Sequence, residues 1–214
     1  MPVLKHDYMW LHHPSVIVIY GGRGEGKSAT AHYIMESRFH AKGVPCYIVA
    51  PPRVQGIIRT KGEGKNDWLT VIGKQMPSKS CILIDDAQLN LHAREHWKNV
   101  RLDKLISMSR HEKSTIIFNT QFSNRLDRNI VVATDTNIFK RPPLMGSTFE
   151  RPGMKQFVGD IDDRFNDFEK ELLKKSEDAD MRQYSYVISN KPRYVGFVGP
   201  TPLCTYWSED LSEW

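Results

Sequence analysis

VIVIYGGRGEGKS, residues 16 to 28, decides how the rest of the chain is read. The apolar run Val16–Tyr20 suits a buried strand, and Gly21-Gly22-Arg23-Gly24-Glu25-Gly26-Lys27-Ser28 follows it at the G-x4-G-K-[ST] spacing. The glycines let the backbone wrap closely round a phosphate with several N–H groups turned inward, at angles that a Cβ would obstruct. A helix that begins where the loop ends adds the positive end of its dipole. In that arrangement Lys27 reaches the β and γ phosphates of ATP, and Ser28 ligates Mg2+ through its hydroxyl. A Gly-rich turn can match such a spacing by chance, but the apolar strand before the loop and the helical pattern after it are the flanks that the motif's mechanics require.

Outward from the loop, short apolar runs alternate with helical stretches over the first two-thirds of the chain, the pattern of βαβ units round a mostly parallel sheet. Ser28–Lys42 reads as a helix with Ile34, Met35 and Phe39 on its apolar side and Gly43 to end it. Pro45–Ala50 reads as the second strand, Cys81–Ile84 as the third and Thr115–Thr120 as the fourth. Between the second and third lie PPRVQGIIRTKGEGKN, read as a mobile connection, and a short segment at Trp68–Ile72. A helix over Ala93–Arg110 carries Trp97, Val100 or Arg101, Leu105 and Met108 at three- and four-residue spacing. Past Gln121 a short helix and a strand at Asn137–Lys140 are expected, then a loop over residues 141–153. Asp160–Arg182 reads as an amphipathic helix, with Ile161, Phe165, Phe168 and Leu172 on one side, and Tyr184–Ser189, Tyr194–Val198 and Leu203–Trp207 as short strands. The expected fold class is α/β: a P-loop NTPase of the RecA/ASCE type, a three-layer sandwich with a mostly parallel central sheet and a C-terminal α+β extension. A single ATPase domain is expected over residues 1–214, its core at about 15–140 and its extension at about 141–214.

Chemistry at the phosphates also needs an acid at the C-terminal end of a neighbouring buried strand, and Cys81-Ile82-Leu83-Ile84-Asp85-Asp86 supplies two. Asp85 is placed to orient the metal through its water shell, and Asp86 to polarise the attacking water. Taken alone, two carboxylates after an apolar strand would equally start a turn or cap a helix. The phosphate loop gives them the catalytic reading. The fourth strand ends in Asn119-Thr120-Gln121, and a polar residue there can touch the γ-phosphate if this strand lies between the loop strand and the acid strand. Polar strand ends are also ordinary.

Thirty Lys and Arg against 25 Asp and Glu give the 214-residue chain a formal charge of +5, which suits a polyanionic partner without demanding one. Cys46, Cys81 and Cys204 lie far apart, two of them inside apolar runs, a reduced intracellular pattern. No apolar run is long enough to span a bilayer, and MPVLKHDYMWLHHP lacks the sections of a signal peptide, so no direct membrane insertion is expected. His92 and His96 are four apart, but no acid or Cys at ligand spacing completes a metal site.

The order of parts is a phosphate loop, an apolar strand with two acids, a helix ending in Arg110 and an apolar strand ending in Gln121. It resembles the FtsK–HerA superfamily of DNA pumps. Ser109-Arg110-His111 before the Gln strand and Arg128-Asn129 after it narrow the likeness to the genome-packaging ATPases of large DNA viruses and of icosahedral viruses with internal membranes. That resemblance covers about residues 15–140. It implies an ATP-driven translocase that packages double-stranded DNA into a preformed capsid, with Arg110, or as second choice Arg128, as an arginine finger reaching into a neighbouring subunit. For either arginine a surface salt bridge is the plainer role. Many such motors carry Glu where this chain has Asp86, one methylene shorter. The implied partners are duplex DNA of any sequence, a homo-oligomeric ring of about five or six subunits and a capsid or portal vertex protein. The implied location is the cytoplasm of an infected host cell or the packaging vertex of the virion. Arg53, Arg59, Lys61 and Lys65 are candidate DNA phosphate contacts, and in a solvated loop they would be bystanders. A filamentous-phage-type assembly ATPase, a nucleotide-dependent DNA-binding switch and a small-molecule kinase are the alternatives.

Overall fold

A strand that is apolar at every position must be covered on both faces, and Val16–Tyr20 (β1) and Thr115–Thr120 (β5) are buried throughout. The computed structural model describes residues 5–49, 58–59, 78–85, 106–107, 109–121, 132–143, 152–174 and 180–205. With Cys46–Val49 (β2), Ile58–Arg59 (β3), Cys81–Ile84 (β4), Thr136–Phe139 (β6), Ser185–Asn190 (β7) and Arg193–Val198 (β8), these strands form one eight-stranded sheet in the order β3-β2-β4-β5-β1-β6-β7-β8. From β3 to β6 every pairing is parallel, and β7 and β8 continue the sheet antiparallel beyond β6. Strand β5 therefore stands between the loop strand β1 and the acid strand β4, the insertion on which the reading of Gln121 depends.

Alternation along the strands sorts their side chains between two layers. Ile17, Ile19, Leu83, Ile117 and Ile138 pack with Ala31, Ile34, Met35 and Phe39 of the helical run that follows the loop. On the other face Val16, Val18, Tyr20, Ile82, Ile84, Ile116, Phe118 and Phe139 pack with Ile161, Phe165 and Phe168 of the helix Pro152–Leu173 (α2) and with Phe197 of β8. Helix on sheet on helix is the three-layer arrangement expected. The Phe168 ring stacks on Phe197 with centroids 3.9 Å apart. Replacing Phe168 by alanine is expected to lower the unfolding free energy by about 3–5 kcal/mol, read from the urea midpoint; a midpoint equal to wild type would mean that α2 is not seated on β8.

Several boundaries differ from the sequence reading. The helix after the loop is α-helical only over Lys27–Ile34 (α1). It then widens into a π turn at Met35–Phe39 and tightens into a 3-10 turn at His40–Lys42, and Gly43 at φ 74° ends it. In the Gly- and Lys-rich connection Ile58–Arg59 is not loop: it pairs with Tyr47 and Ile48 as an edge strand, so Arg59 belongs to a strand. α2 begins at Pro152, inside the stretch read as loop, because a proline is tolerated in the first turn of a helix. It ends at Leu173 rather than Arg182, and Met181–Gln183 is a separate 3-10 turn whose Arg182 N–H is capped by the Asp180 side chain. Residues 201–205 are irregular where a strand over Leu203–Trp207 was expected; the backbone N–H and the hydroxyl of Thr205 donate to the Glu36 carboxylate instead of to a strand. Strand β6 runs one residue earlier than read, and residues 106–107 and 109–111 are helical. Trp68–Ile72, the rest of the helix over Ala93–Arg110, and Arg53, Lys61, Lys65, His92 and His96 lie outside the described residues. No described helix is long and apolar enough to cross a membrane.

Candidate nucleotide site

The loop leaves β1 at the C-terminal edge of the parallel strands and turns into α1 through Gly26, which holds φ 78° in the left-handed region. A side chain at Gly26 would be doubly opposed, because its Cβ would also come within 2.8 Å of the Arg182 carbonyl oxygen. Gly21 is needed for a different reason: its Cβ would lie 2.4 Å from the Cβ of Lys140. Arg23 and Gly24 are exposed, Glu25 and Gly26 half-buried, and Lys27 is buried. Lys27 Nζ donates to the Gly22 carbonyl oxygen at 2.7 Å, so the lysine folds back over its own loop. Gly22 N–H donates to the Arg141 carbonyl at 3.0 Å, and Lys140 N–H to the Tyr20 carbonyl at 2.7 Å, tying the loop to the chain that leaves β6.

Ser28, Asp85 and Asn119 meet beside the loop. The Ser28 hydroxyl donates to Asp85 Oδ1 at 3.3 Å, and Asn119 Nδ2 donates to Ser28 Oγ at 3.1 Å and to Asp85 Oδ1. A carboxylate only accepts, so the amide nitrogen must face it. That leaves Asn119 Oδ1 buried without a hydrogen-bond partner among the described residues. Asn119 follows the alternation of Ile117 onto the α1 face, which is how a residue of β5 reaches a serine of α1. Magnesium takes oxygen ligands in small number beside phosphates, and hydroxyl, carboxylate and unpartnered amide oxygen are gathered here. These residues fit that ion.

Thr120 is in register with Tyr20, so Gln121 and Gly21 leave the sheet side by side at the same edge, with Gln121 half-buried. Arg110 is elsewhere. It is exposed, precedes β5, and accepts through its carbonyl from Lys113 N–H at the opposite, N-terminal end of that strand. Asp86 and Arg128 lie outside the described residues. Sequence reasoning passed over Asn119 in favour of Gln121, although a polar residue inside the apolar run TIIFNT was a signal. Lys140, Arg141 and Arg182 were also missed, because each looks like an ordinary polar residue at the end of an element. Arg141 is clamped to α2 by bonds to Asn166 Oδ1 at 2.8 Å and Glu169 Oε2 at 2.7 Å, and the Glu169 carboxylate raises its pKa.

A parallel sheet with a strand inserted between loop and acid, a glycine loop running into a helix, and serine and aspartate joined across them together decide the fold. It is that of a P-loop NTPase. Among solved structures, the DNA-packaging ATPase B204 of Sulfolobus turreted icosahedral virus is similar at a TM-score of 0.60 and 16% identity, covering 89% of this chain and all of that one (100%). The genome packaging NTPase B204 of Sulfolobus turreted icosahedral virus 2 is similar in its complex with ATP-gammaS, at a TM-score of 0.61 and 11% identity over 90% of this chain and 100% of that one. Its complex with AMPPCP is similar at 0.58 and 12%, over 88% and 98%. No protein-family model matches the sequence, and no curated protein matches it. At these identities the P-loop NTPase fold is what is shared.

Proposed function

We propose that the chain hydrolyses ATP and couples hydrolysis to the movement of double-stranded DNA into a viral capsid, as a subunit of a homo-oligomeric ring docked on a capsid or portal vertex protein. The observation that carries the ATPase reading is the meeting of Ser28, Asp85 and Asn119 beside the Gly21–Ser28 loop, which only the insertion of β5 between β1 and β4 brings about. The loop's N–H groups and the N-terminus of α1 receive the phosphates. Lys27 exchanges the Gly22 carbonyl for phosphate oxygen as the nucleotide enters, which places a positive charge where negative charge develops. Ser28 and Asp85 would hold Mg2+, which would supply neutralisation of charge on the phosphates. In this reading Gln121, which leaves the sheet beside the loop, reports the γ-phosphate, and Asp86, the residue after Asp85 in the sequence, orients the water.

The DNA-packaging reading is supported by the order of motifs and by the shared fold over nearly the whole chain with a protein that packages DNA. The exposed placement of Arg110, at the far end of β5 from its own loop, supports a ring in which each finger serves the next subunit. A host-cell cytoplasmic or virion-vertex location follows from that reading. Adding linear duplex to the purified protein is expected to raise its steady-state ATPase rate whatever the sequence, and the stimulation should fall steeply from low to moderate salt as counterions compete for Lys and Arg contacts. A rate indifferent to DNA, but raised by a small phosphate acceptor, would move the assignment to a kinase.

A further inference from the structure

Lys140 stands at the end of β6 with its side chain fully enclosed, 1% exposed. Its ammonium donates to the carbonyl oxygens of Arg182, at 2.7 Å, and Tyr184, at 3.1 Å, and among the described residues no carboxylate lies within ion-pair distance. Burial pulls its pKa from 10.5 down to about 7, against the raising influence of Glu25 and Asp180 and together with the lowering influence of Lys27. An ammonium held this way costs folding stability that an apolar side chain of the same volume would not.

The placement explains what that cost maintains. The Arg182 carbonyl that accepts from Lys140 is the same oxygen that sits 2.8 Å from the Cβ position of Gly26, the left-handed residue where the loop becomes α1. At the loop's other end the backbone of Lys140 lies against Gly21, and its N–H bonds to the Tyr20 carbonyl. One residue thus touches the entrance of the loop directly and its exit through a single carbonyl. We propose that Lys140 is a positioning residue for phosphate transfer: it clamps the Met181–Tyr184 turn against Gly26 and so holds the Gly21–Ser28 loop in its phosphate-receiving shape. This rests on the ATPase reading above. The segment from β6 to β8 then takes part in the site by setting the loop's geometry.

The test uses the full-length protein carrying Lys140→Met, which keeps the volume and removes the charge and the donors. Expected are a kcat for ATP per folded molecule roughly ten- to a hundredfold below wild type, a KM within about threefold, and faster hydrogen–deuterium exchange over residues 21–28; the melting temperature falls modestly, because the Arg182 and Tyr184 carbonyls lose their donor while a buried charge is removed. A purely structural role would move the melting temperature and leave kcat per folded molecule alone. Unchanged exchange over the loop overturns the proposal, as does an unchanged kcat in a protein whose wild type turns over ATP. Lys140→Gln, with a shorter donor that cannot reach both carbonyls, gives the same readings if the methionine variant does not fold. Lys27→Ala measured alongside separates the two claims: if wild type and Lys27→Ala are equally active, the ATPase site is misplaced, whereas the exchange readout still judges Lys140.

Discussion

Replacing Lys27 by alanine is expected to cut ATP turnover by roughly a hundred- to a thousandfold, the cost of deleting one preorganised donor to developing charge. Lys27 is buried and spends its ammonium on the Gly22 carbonyl at 2.7 Å, so in the free protein it also closes the loop upon itself. Alanine leaves that carbonyl without the lysine and the incoming phosphates without their nearest cation. Ser28, Asp85 and Asn119 bond to one another, and the two apolar clusters are built from other residues. The variant should therefore fold, with a circular dichroism spectrum and melting temperature close to wild type while phosphate release disappears. Wild-type turnover in a folded Lys27→Ala protein would remove the site from this loop.

The second large effect concerns Arg110. Its strand, β5, has six residues at about 3.3 Å each, so its two ends lie roughly 16 Å apart. Arg110 stands beyond the Thr115 end, and the loop stands at the Thr120 end. A side chain of arginine length does not cover that distance, and any action on a γ-phosphate has to be on a neighbour's. Arg110→Ala is expected to lower activity by roughly a thousandfold, although its own nucleotide site is intact. Mixing supplies the discriminating measurement: Arg110→Ala subunits should depress wild-type activity below the weighted average. Arg110→Ala mixed with Lys27→Ala should regain activity, because some interfaces then pair an intact loop with an intact finger. Strictly additive mixtures would mean that Arg110 makes an ordinary surface contact and would turn attention to Arg128.

What could be read from the sequence follows from how one-sided each segment's environment is. Val16–Tyr20, Cys81–Ile84 and Thr115–Thr120 were located to the residue because each has a run of consecutive apolar residues buried on both faces, and a glycine, an aspartate or a glutamine marks where it leaves the core. The loop was legible because its spacing is dictated by the size of a phosphate. By contrast, Ile58–Arg59 hides in a Gly- and Lys-rich connection, since an edge pair of two residues leaves no periodicity. α2 was started eight residues late because Pro152, Gly153 and Gly159 interrupt its pattern, although Phe157 and Val158 already face the core side. Leu203 is 59% exposed and misled by its apolar character alone. The partners of Asn119 and Lys140 are 91 and 42 residues away in sequence, on elements that only the finished sheet brings together. β7 and β8 were recognised as strands, but their place beside β6, which delivers the Arg182 carbonyl to Gly26, had no local signature.

The claim that the chain is a motor, rather than a switch that turns over ATP, is tested most directly by displacement of a third strand from a DNA triplex on a linear duplex, with the purified wild-type protein. Release is expected to need ATP, to fail with a non-hydrolysable analogue, and to be absent with Lys27→Ala. ATP hydrolysis stimulated by duplex with the triplex left intact would contradict it, and would make the protein a nucleotide-dependent DNA-binding switch.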